Sequence, residues 1–407
     1  MARPPLRPVP EHQERVRALL PPTPVVEVPL HEAEGRALAR DVVAAIALPS
    51  FANSSMDGYA VRAAEVAGAS ADAPVTLPVA GDVPAGATVV APLAPGTAVR
   101  IMTGAPLPDG ADAVVPVEAT DRGVEQVLVH EPRDPGAHVR AVGCDVAVGD
   151  DVLGAGTRLD GPQLGLLSAL GLATVPVHER VRALVVSTGS ELVEHGEELA
   201  HGQIHDANSV MLAAALRAAG AEARVTRFVA DDPVAFAALL DEEVGRTDLV
   251  VTSGGVSEGA YEVVKDVLAP RGVEFGKVAM QPGMPQGSGV LEGPAGRAAV
   301  VCLPGNPVSA YVSFEVFLRP ALLAAAGHAR TARPAVRLTL AEPLRSPAGK
   351  RQFRRGRTDL AAGTVSLAGG YESHFLGSLA TADCLLDLPE DVTALEAGAE
   401  VTAWLLT

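Results

Sequence analysis

Leu249-Val250-Val251-Thr252 runs straight into Ser253-Gly254-Gly255-Val256-Ser257. The short apolar run reads as a buried strand, and the polar, glycine-rich segment ends it abruptly. Two glycines permit close backbone approach, and two hydroxyls offer donors to phosphate oxygens. The same pattern recurs on both sides. Ala183–Ser187 leads into Thr188-Gly189-Ser190-Glu191, Ala223–Val229 leads toward Asp231-Asp232-Pro233, and Ala299–Leu303 leads into Pro304-Gly305-Asn306-Pro307. Helical runs alternate with these strands: Ser209–Ala219 closed by Gly220, Pro233–Val244, Glu262–Leu268 and Val308–Ala325, with Val273–Val278 as a further strand. Alternation of this kind predicts a parallel α/β sheet over residues 177–330, with its ligand beyond the carboxyl ends of the strands.

Other segments read differently. Short β runs at Val75–Val79, Thr88–Val90, Ala98–Met102 and Val114–Val117, separated by Gly/Pro turns, predict a small inserted β domain over 47–144. Its helical flanks, Pro10–Leu20 and Glu32–Ala44 before it and Gly161–Leu170 after it, predict one discontinuous N-terminal domain from 1–46 and 145–176. Beyond Arg333, short alternating runs such as Val336–Leu340 and Val401–Leu406 predict a C-terminal β-barrel or sheet over 331–407. The fold class is therefore multidomain α/β and β, in keeping with 407 residues, too many for one core.

A formal charge of −17 disfavours a nucleic-acid partner and requires any anionic ligand to meet local cations. Only Lys265, Lys277 and Lys350 are lysines among 32 basic residues. Cys144, Cys302 and Cys384 are too dispersed for a disulfide framework or a metal knuckle, which suits a reducing compartment. The first twenty residues carry no apolar signal core, and the apolar stretch Val300–His328 is interrupted by Pro304, Asn306, Pro307, Glu315, Arg319 and Pro320. A cytoplasmic protein without a membrane partner is expected. The sequence has no GxGxxG, Walker, GxSxG or HExxH motif, and its ten histidines are scattered.

Each strand-end loop taken singly has a plainer reading. A Gly-Gly pair after a strand is commonly a tight turn, and Asp231 or Asp232 before Pro233 makes a good helix cap. Pro304–Pro307 reads equally as a rigid turn entering a helix. Carboxylates at converging strand ends can instead hold a hydrated Mg²⁺.

Taken together, the motifs resemble those of the molybdopterin molybdenumtransferase family, which includes the E domain of gephyrin. Leu48-Pro49-Ser50-Phe51-Ala52-Asn53-Ser54-Ser55-Met56-Asp57-Gly58-Tyr59-Ala60-Val61-Arg62 is similar to its N-terminal signature, and Arg100–Ala105 to a second. Ser187–Leu192, Gly202–Asn208, Asp231–Pro233, Thr252–Ser257, Lys277–Gly283, Leu303–Ala310, Phe353–Gly356 and Ser373-His374 follow in the family's order.

The resemblance implies transfer of molybdenum from molybdate to adenylylated molybdopterin, promoted by Mg²⁺ and releasing AMP. It also implies a homodimer with sites shared between subunits, and contact with the molybdopterin adenylyltransferase. Carried over by position, Asp57, Thr103, Glu191, Asp231, Asp232 and Glu262 would be catalytic. Ser253, Gly254, Gly255, Ser257, Pro304 and Pro307 would meet the pterin phosphate; Lys277, Arg355 and Ser373 would meet molybdate; Asp57, Asp145, Glu191 and Asp232 would hold the metal. Glu262, Ser190, Gln281, Met284 and Asp383 depart from the family's usual residues, which bears on metal and molybdate geometry. Two other functions remain open here: an adenylyltransferase-like enzyme, which needs only the α/β domain, and a non-catalytic scaffold.

Overall fold

The computed structural model describes residues 5–228, 232–256, 263–293 and 296–406, and packing divides the chain into two units. The first contains residues 1–40, 155–160 and 175–407; the second contains 41–154 and 161–174.

The first unit is built on a six-stranded sheet: β1 (Arg182–Thr188), β2 (Glu222–Phe228), β3 (Leu249–Ser253), β4 (Glu274–Lys277), β5 (Pro285–Gly293) and β6 (Gly296–Leu303), in spatial order β2-β1-β3-β6-β5-β4. The four strands β2, β1, β3 and β6 are parallel, whereas β5 pairs antiparallel with both β6 and β4. The sheet is thus mixed rather than wholly parallel, and β5 is the strand missing from the sequence reading. It is glycine-rich for a packing reason. A Cβ on Gly287 would stand 2.7 Å from the Phe275 ring, and one on Gly289 would stand 2.7 Å from the Val273 α carbon. Glycine removes the alternating side chains by which a strand is read.

Both faces are covered, as a central parallel sheet requires. One face packs α1 (Ala207–Ala218) and a long helix over residues 307–325. The other packs α2 (Pro233–Glu243) and α3 (Val263–Leu268) around Leu184, Val186, Val250 and Val300. Asp206 caps α1 by accepting the Ser209 N–H at 3.0 Å.

The long helix comprises Pro307–Ser313, a π segment at Phe314–Leu318 and Arg319–Ala325. Pro320 has no N–H to give Val316. The Val316 carbonyl accepts instead from Gln13 Nε2, at 3.1 Å, in the N-terminal helix Val9–Leu19. Among the described residues this helix alone is long and apolar enough to cross a membrane, but 78% of its apolar window is buried in the fold. Phe314 and Phe317 are only 1% exposed, and burial of such side chains stabilises by about 1.5–3 kcal/mol each. Glu315, 3% exposed, is held by both ends of the Arg333 guanidinium at 2.9 Å.

The last strands close on themselves. Arg351–Asp359 pairs with Thr364–Leu367 and Cys384–Leu388, Thr364–Leu367 with Ala335–Leu340, and Glu400–Leu405 joins Ala335–Leu340 to Cys384–Leu388. A barrel of this kind leaves no free edge. Asp383 serves it structurally, accepting the Thr358 N–H at 2.9 Å and its hydroxyl at 3.0 Å.

The second unit carries a five-stranded sheet ordered Ala113–Pro116, Gly58–Val61, Ala98–Ile101, Val75–Val83 and Gln126–Val129, with helix Gly161–Ala169. Gly58 is obligatory, because a Cβ there would overlap the Val115 carbonyl. Two local expectations fail. Thr88–Val90 forms no strand; it follows the Pro84–Gly86 turn in an irregular loop. Glu32–Ala44 is not a helix: a 3-10 turn at Leu30–Glu32 ends before Gly35, whose φ of +72° breaks helical geometry, and the chain continues through bridges to Val42–Val43.

Candidate active site

The carboxyl ends of β1, β3 and β6 bring three loops together. Gly254 and Gly255 adopt φ of +94° and +67°, which L side chains rarely occupy. The Gly254 N–H donates to the Leu303 carbonyl at 3.0 Å, and a Cβ on Gly305 would lie 3.4 Å from the Gly254 α carbon. A Cβ on Gly254 would in turn lie 3.5 Å from the Thr188 carbonyl oxygen. Both are ordinary contact distances, so Gly254 is required by its positive φ, whereas a Cβ on Gly255 would stand 2.7 Å from Val264 Cβ.

Asn208, in the first turn of α1, fastens this junction. Its Nδ2 donates to Ser253 Oγ at 2.8 Å and to the Gly305 carbonyl at 2.6 Å. The carbonyl can only accept, so the amide nitrogen must face it. Asn208 Oδ1 and Ser187 Oγ are buried without a hydrogen-bond partner. Orphaned polar atoms beside strand ends suit a polar ligand or ordered water. Sequence reading placed Asn208 in a motif but gave it no role; its partners lie 45 and 97 residues away.

Pro304 is buried, and Pro307 is the first residue of the long helix. Between them, Asn306 Nδ2 donates to Ser373 Oγ at 2.9 Å, while the Val308 N–H donates to the Ser373 carbonyl at 3.1 Å. Ser373 thus brings a barrel loop to the β6 loop. Arg355, only 4% exposed, hangs from that same barrel loop, donating to the Glu372 carbonyl at 3.2 Å and to the Gly370 carbonyl. Burial and the adjoining Arg354 charge lower its pKa. No carboxylate oxygen lies within 4.0 Å of it among the described residues. Lys277 is half-buried at the end of β4, and its carbonyl accepts the Arg7 N–H at 2.9 Å.

The acidic residues are arranged less tightly. Glu191 is exposed and folds back over Gly189, where a Cβ would fall on its carboxylate. Asp232 is a cap: its Oδ1 accepts the Val234 and Ala235 N–H groups at 2.9 and 3.2 Å. Ser190 is exposed at the same loop as Glu191. Asp231, Ser257 and Glu262 lie outside the described residues.

In the second unit, Asp57 Oδ1 accepts both the Thr103 N–H at 2.6 Å and its hydroxyl at 2.8 Å. These bonds hold the Asp57 carboxyl below its ordinary pKa, so it is a ready anion on an exposed loop. Asp145 is exposed, tied through its N–H to the Leu48 carbonyl at 3.1 Å.

Among the described residues no three His, Cys, Asp or Glu side chains gather as a metal cluster. Magnesium does not require one, since it commonly takes one or two carboxylates and completes its shell with water and substrate phosphates. The exposed Glu191 carboxylate, and the Asp232 oxygen not engaged in capping, fit that donor set.

Residues 7–171 match the family model of the MoeA N-terminal region (domains I and II), 184–324 that of a probable molybdopterin binding domain, and 337–406 that of the MoeA C-terminal region (domain IV). Molybdopterin molybdenumtransferase 2 of Mycobacterium tuberculosis is 52% identical, with 99% of this chain and 100% of that protein aligned. Molybdopterin molybdenumtransferase 1 of the same organism is 38% identical over 97% of each. Among solved structures, a molybdopterin biosynthesis MoeA protein from Pyrococcus horikoshii superposes with a TM-score of 0.79 at 33% identity, covering 99% of this chain and 100% of its own. A second structure from that species gives 0.83 at 28% identity, covering 98% and 100%.

Proposed function

The chain belongs to the molybdopterin molybdenumtransferase family, and from that membership we propose that it transfers molybdenum from molybdate to adenylylated molybdopterin with release of AMP. The observation that carries this reading is the junction of the Ser253–Gly255, Pro304–Pro307 and Ser373 loops, with the buried Arg355 suspended beside Ser373. The Ser253 hydroxyl and the half-buried backbone of Gly254 and Gly255, together with Ser257, Pro304 and Pro307, receive the pterin phosphate. Arg355, Lys277 and Ser373 receive molybdate. A guanidinium satisfied only by carbonyls keeps its field available to a tetrahedral dianion, and in a buried setting that field is weakly screened.

Glu191 and Asp232, with Asp57 and Asp145, are the carboxylates that would hold Mg²⁺. The ion, when bound, neutralises phosphate charge and so assists departure of AMP. Thr103 keeps Asp57 ionised and oriented for that work. The protein acts as a cytoplasmic homodimer whose sites are shared between copies, and it receives its substrate from a molybdopterin adenylyltransferase.

Purified protein incubated with adenylylated molybdopterin, Mg²⁺ and molybdate should release AMP in step with pterin-bound molybdenum. AMP release that is indifferent to molybdate, or no turnover at all, refutes the assignment. Subunit sharing has its own test. Inactive Asp57→Ala and Glu191→Ala proteins, mixed and allowed to exchange subunits, should recover about a quarter of wild-type activity by twofold counting. No recovery after proven exchange rejects it.

A further inference from the structure

At the amino end of β2, at the opposite end of the sheet from the strand-end loops, the first unit contains a polar depression of about 630 Å³. A seven-residue strand separates the two places by on the order of 20 Å. Arg36, Arg158, Arg180 and Arg217 line the depression, each from a different segment of the chain.

Their partners are unusual for so acidic a protein. Arg36 donates through Nε and Nη2 to the His178 carbonyl, at 3.2 and 2.7 Å. Arg180 donates to the Gly220 and Glu34 carbonyls at 3.3 and 3.4 Å, and Arg217 to the Ala223 carbonyl at 2.7 Å. Arg7, Arg15, Arg62, Arg333 and Arg351 each have a carboxylate within 4.0 Å, but Arg36, Arg180 and Arg217 have none among the described residues. Arg158 alone of the four is paired, with Asp160 at 2.9 Å.

Arg36 and Arg180 are both half-buried, and burial followed by the neighbouring Arg180 charge lowers the Arg36 pKa. Two like charges are thus held near one another with no carboxylate in direct contact among the described residues, each with N–H groups left over after its carbonyl bonds. The nearest carboxylates are exposed: Glu34, Glu222 and Glu32 on the rim, the last beside His31 at 3.6 Å, and Glu179, whose charge opposes the lowering of the Arg36 pKa most. Backbone carbonyls that fix a guanidinium while leaving its charge uncancelled are also what surround Arg355.

We propose that this depression is a second anion site, taking the phosphate dianion of a small phosphomonoester or inorganic phosphate. The forked donors of Arg36 and Arg180 match a tetrahedral oxyanion, and the volume leaves room for an organic group attached to it.

The test uses the full-length Arg355→Ala protein, so that anion binding at the strand-end loops is weakened, and calorimetric titration with inorganic phosphate and with ribose 5-phosphate. Saturable binding of one phosphate per chain is expected. Equal affinities identify free phosphate as the ligand, and tighter binding of the sugar phosphate identifies an ester. Adding Arg36→Gln and Arg180→Gln should weaken either by at least tenfold. Glu222→Gln, which subtracts a rim charge without touching the arginines, should tighten binding about threefold; this opposite sign cannot come from misfolding. Absence of saturable binding, or binding indifferent to both sets of substitutions, overturns the proposal.

Discussion

Glu315 and Arg355 are nearly equally hidden, at 3% and 4% exposure, yet the fold treats them oppositely. Glu315, midway along the long helix, receives both ends of Arg333, and Arg319 stands 3.9 Å away. Arg355, on a barrel strand, donates only to the carbonyls of Gly370 and Glu372, and its Nε has no partner. A buried charge whose counter-ion is built in is finished as structure. A buried charge given only dipoles still has a vacancy for a counter-ion, and burial strengthens its field there. Burial alone therefore does not separate scaffold from site; the chemistry of the partners does.

The largest effect expected from this contrast is on stability. Glu315→Leu strands Arg333 in a half-buried position and should cost about 3–5 kcal/mol in denaturant unfolding, with transfer activity per folded molecule retained. Equal losses of stability and specific activity would erase the distinction.

His12 provides a third kind of buried ionisable group, kept neutral. It is 1% exposed, and burial, then Arg7 and Arg15, lower its pKa from 6.5 to about 4 against an opposing pull from Glu274. The folded value lies below the unfolded one, so as pH falls the unfolded chain takes the proton first. Stability from this group is fully present above pH 6.5 and is lost between 6.5 and about 4, amounting to roughly 3 kcal/mol. His12→Phe should flatten the stability profile across that interval. An unchanged slope rejects the assignment.

For Arg355→Ala the readout moves from stability to chemistry. Losing one charged hydrogen-bonding partner costs about 1.5–3 kcal/mol, a ten- to hundredfold weaker use of molybdate, with a smaller stability loss than Glu315→Leu. An unaltered dependence of rate on molybdate concentration contradicts it. The mildest change is Thr103→Val, which deletes the hydroxyl bond to Asp57 but keeps the backbone one. The Asp57 carboxyl should titrate higher than in the wild type when followed by NMR, and a stationary value would show that the backbone bond suffices.

Much of this architecture can be read along the chain because the relevant signals are local. Apolar runs ending in Ser/Gly/Pro segments located β1, β3 and β6 and, with them, the loops that meet at Asn208. The strand β5 was not legible, because Gly287 and Gly289 are there to admit Phe275 and Val273, residues that only the folded sheet brings near. The segment after Glu32 has helical composition, and a single left-handed glycine, Gly35, overrides it. In the site, residue types could be found but not their state. Nothing local distinguishes Arg355 from the paired Arg351 four positions earlier, because the difference lies in Asp387 across the barrel. Asp232 had two readings in sequence, and they turn out to be compatible: Oδ1 caps the helix through the Val234 and Ala235 N–H groups, leaving the second oxygen for the other role.

The bond from Gln13 to the Val316 carbonyl makes two distant positions depend on each other. Proline at 320 is comfortable where an amide from the first helix already serves that carbonyl, and a chain that loses the glutamine alone would carry a poorly served acceptor in its core. Loss of Gln13 should therefore cost more stability with Pro320 in place than with an N–H-bearing residue at that position. Two positions 307 residues apart in the chain are thereby coupled through one hydrogen bond.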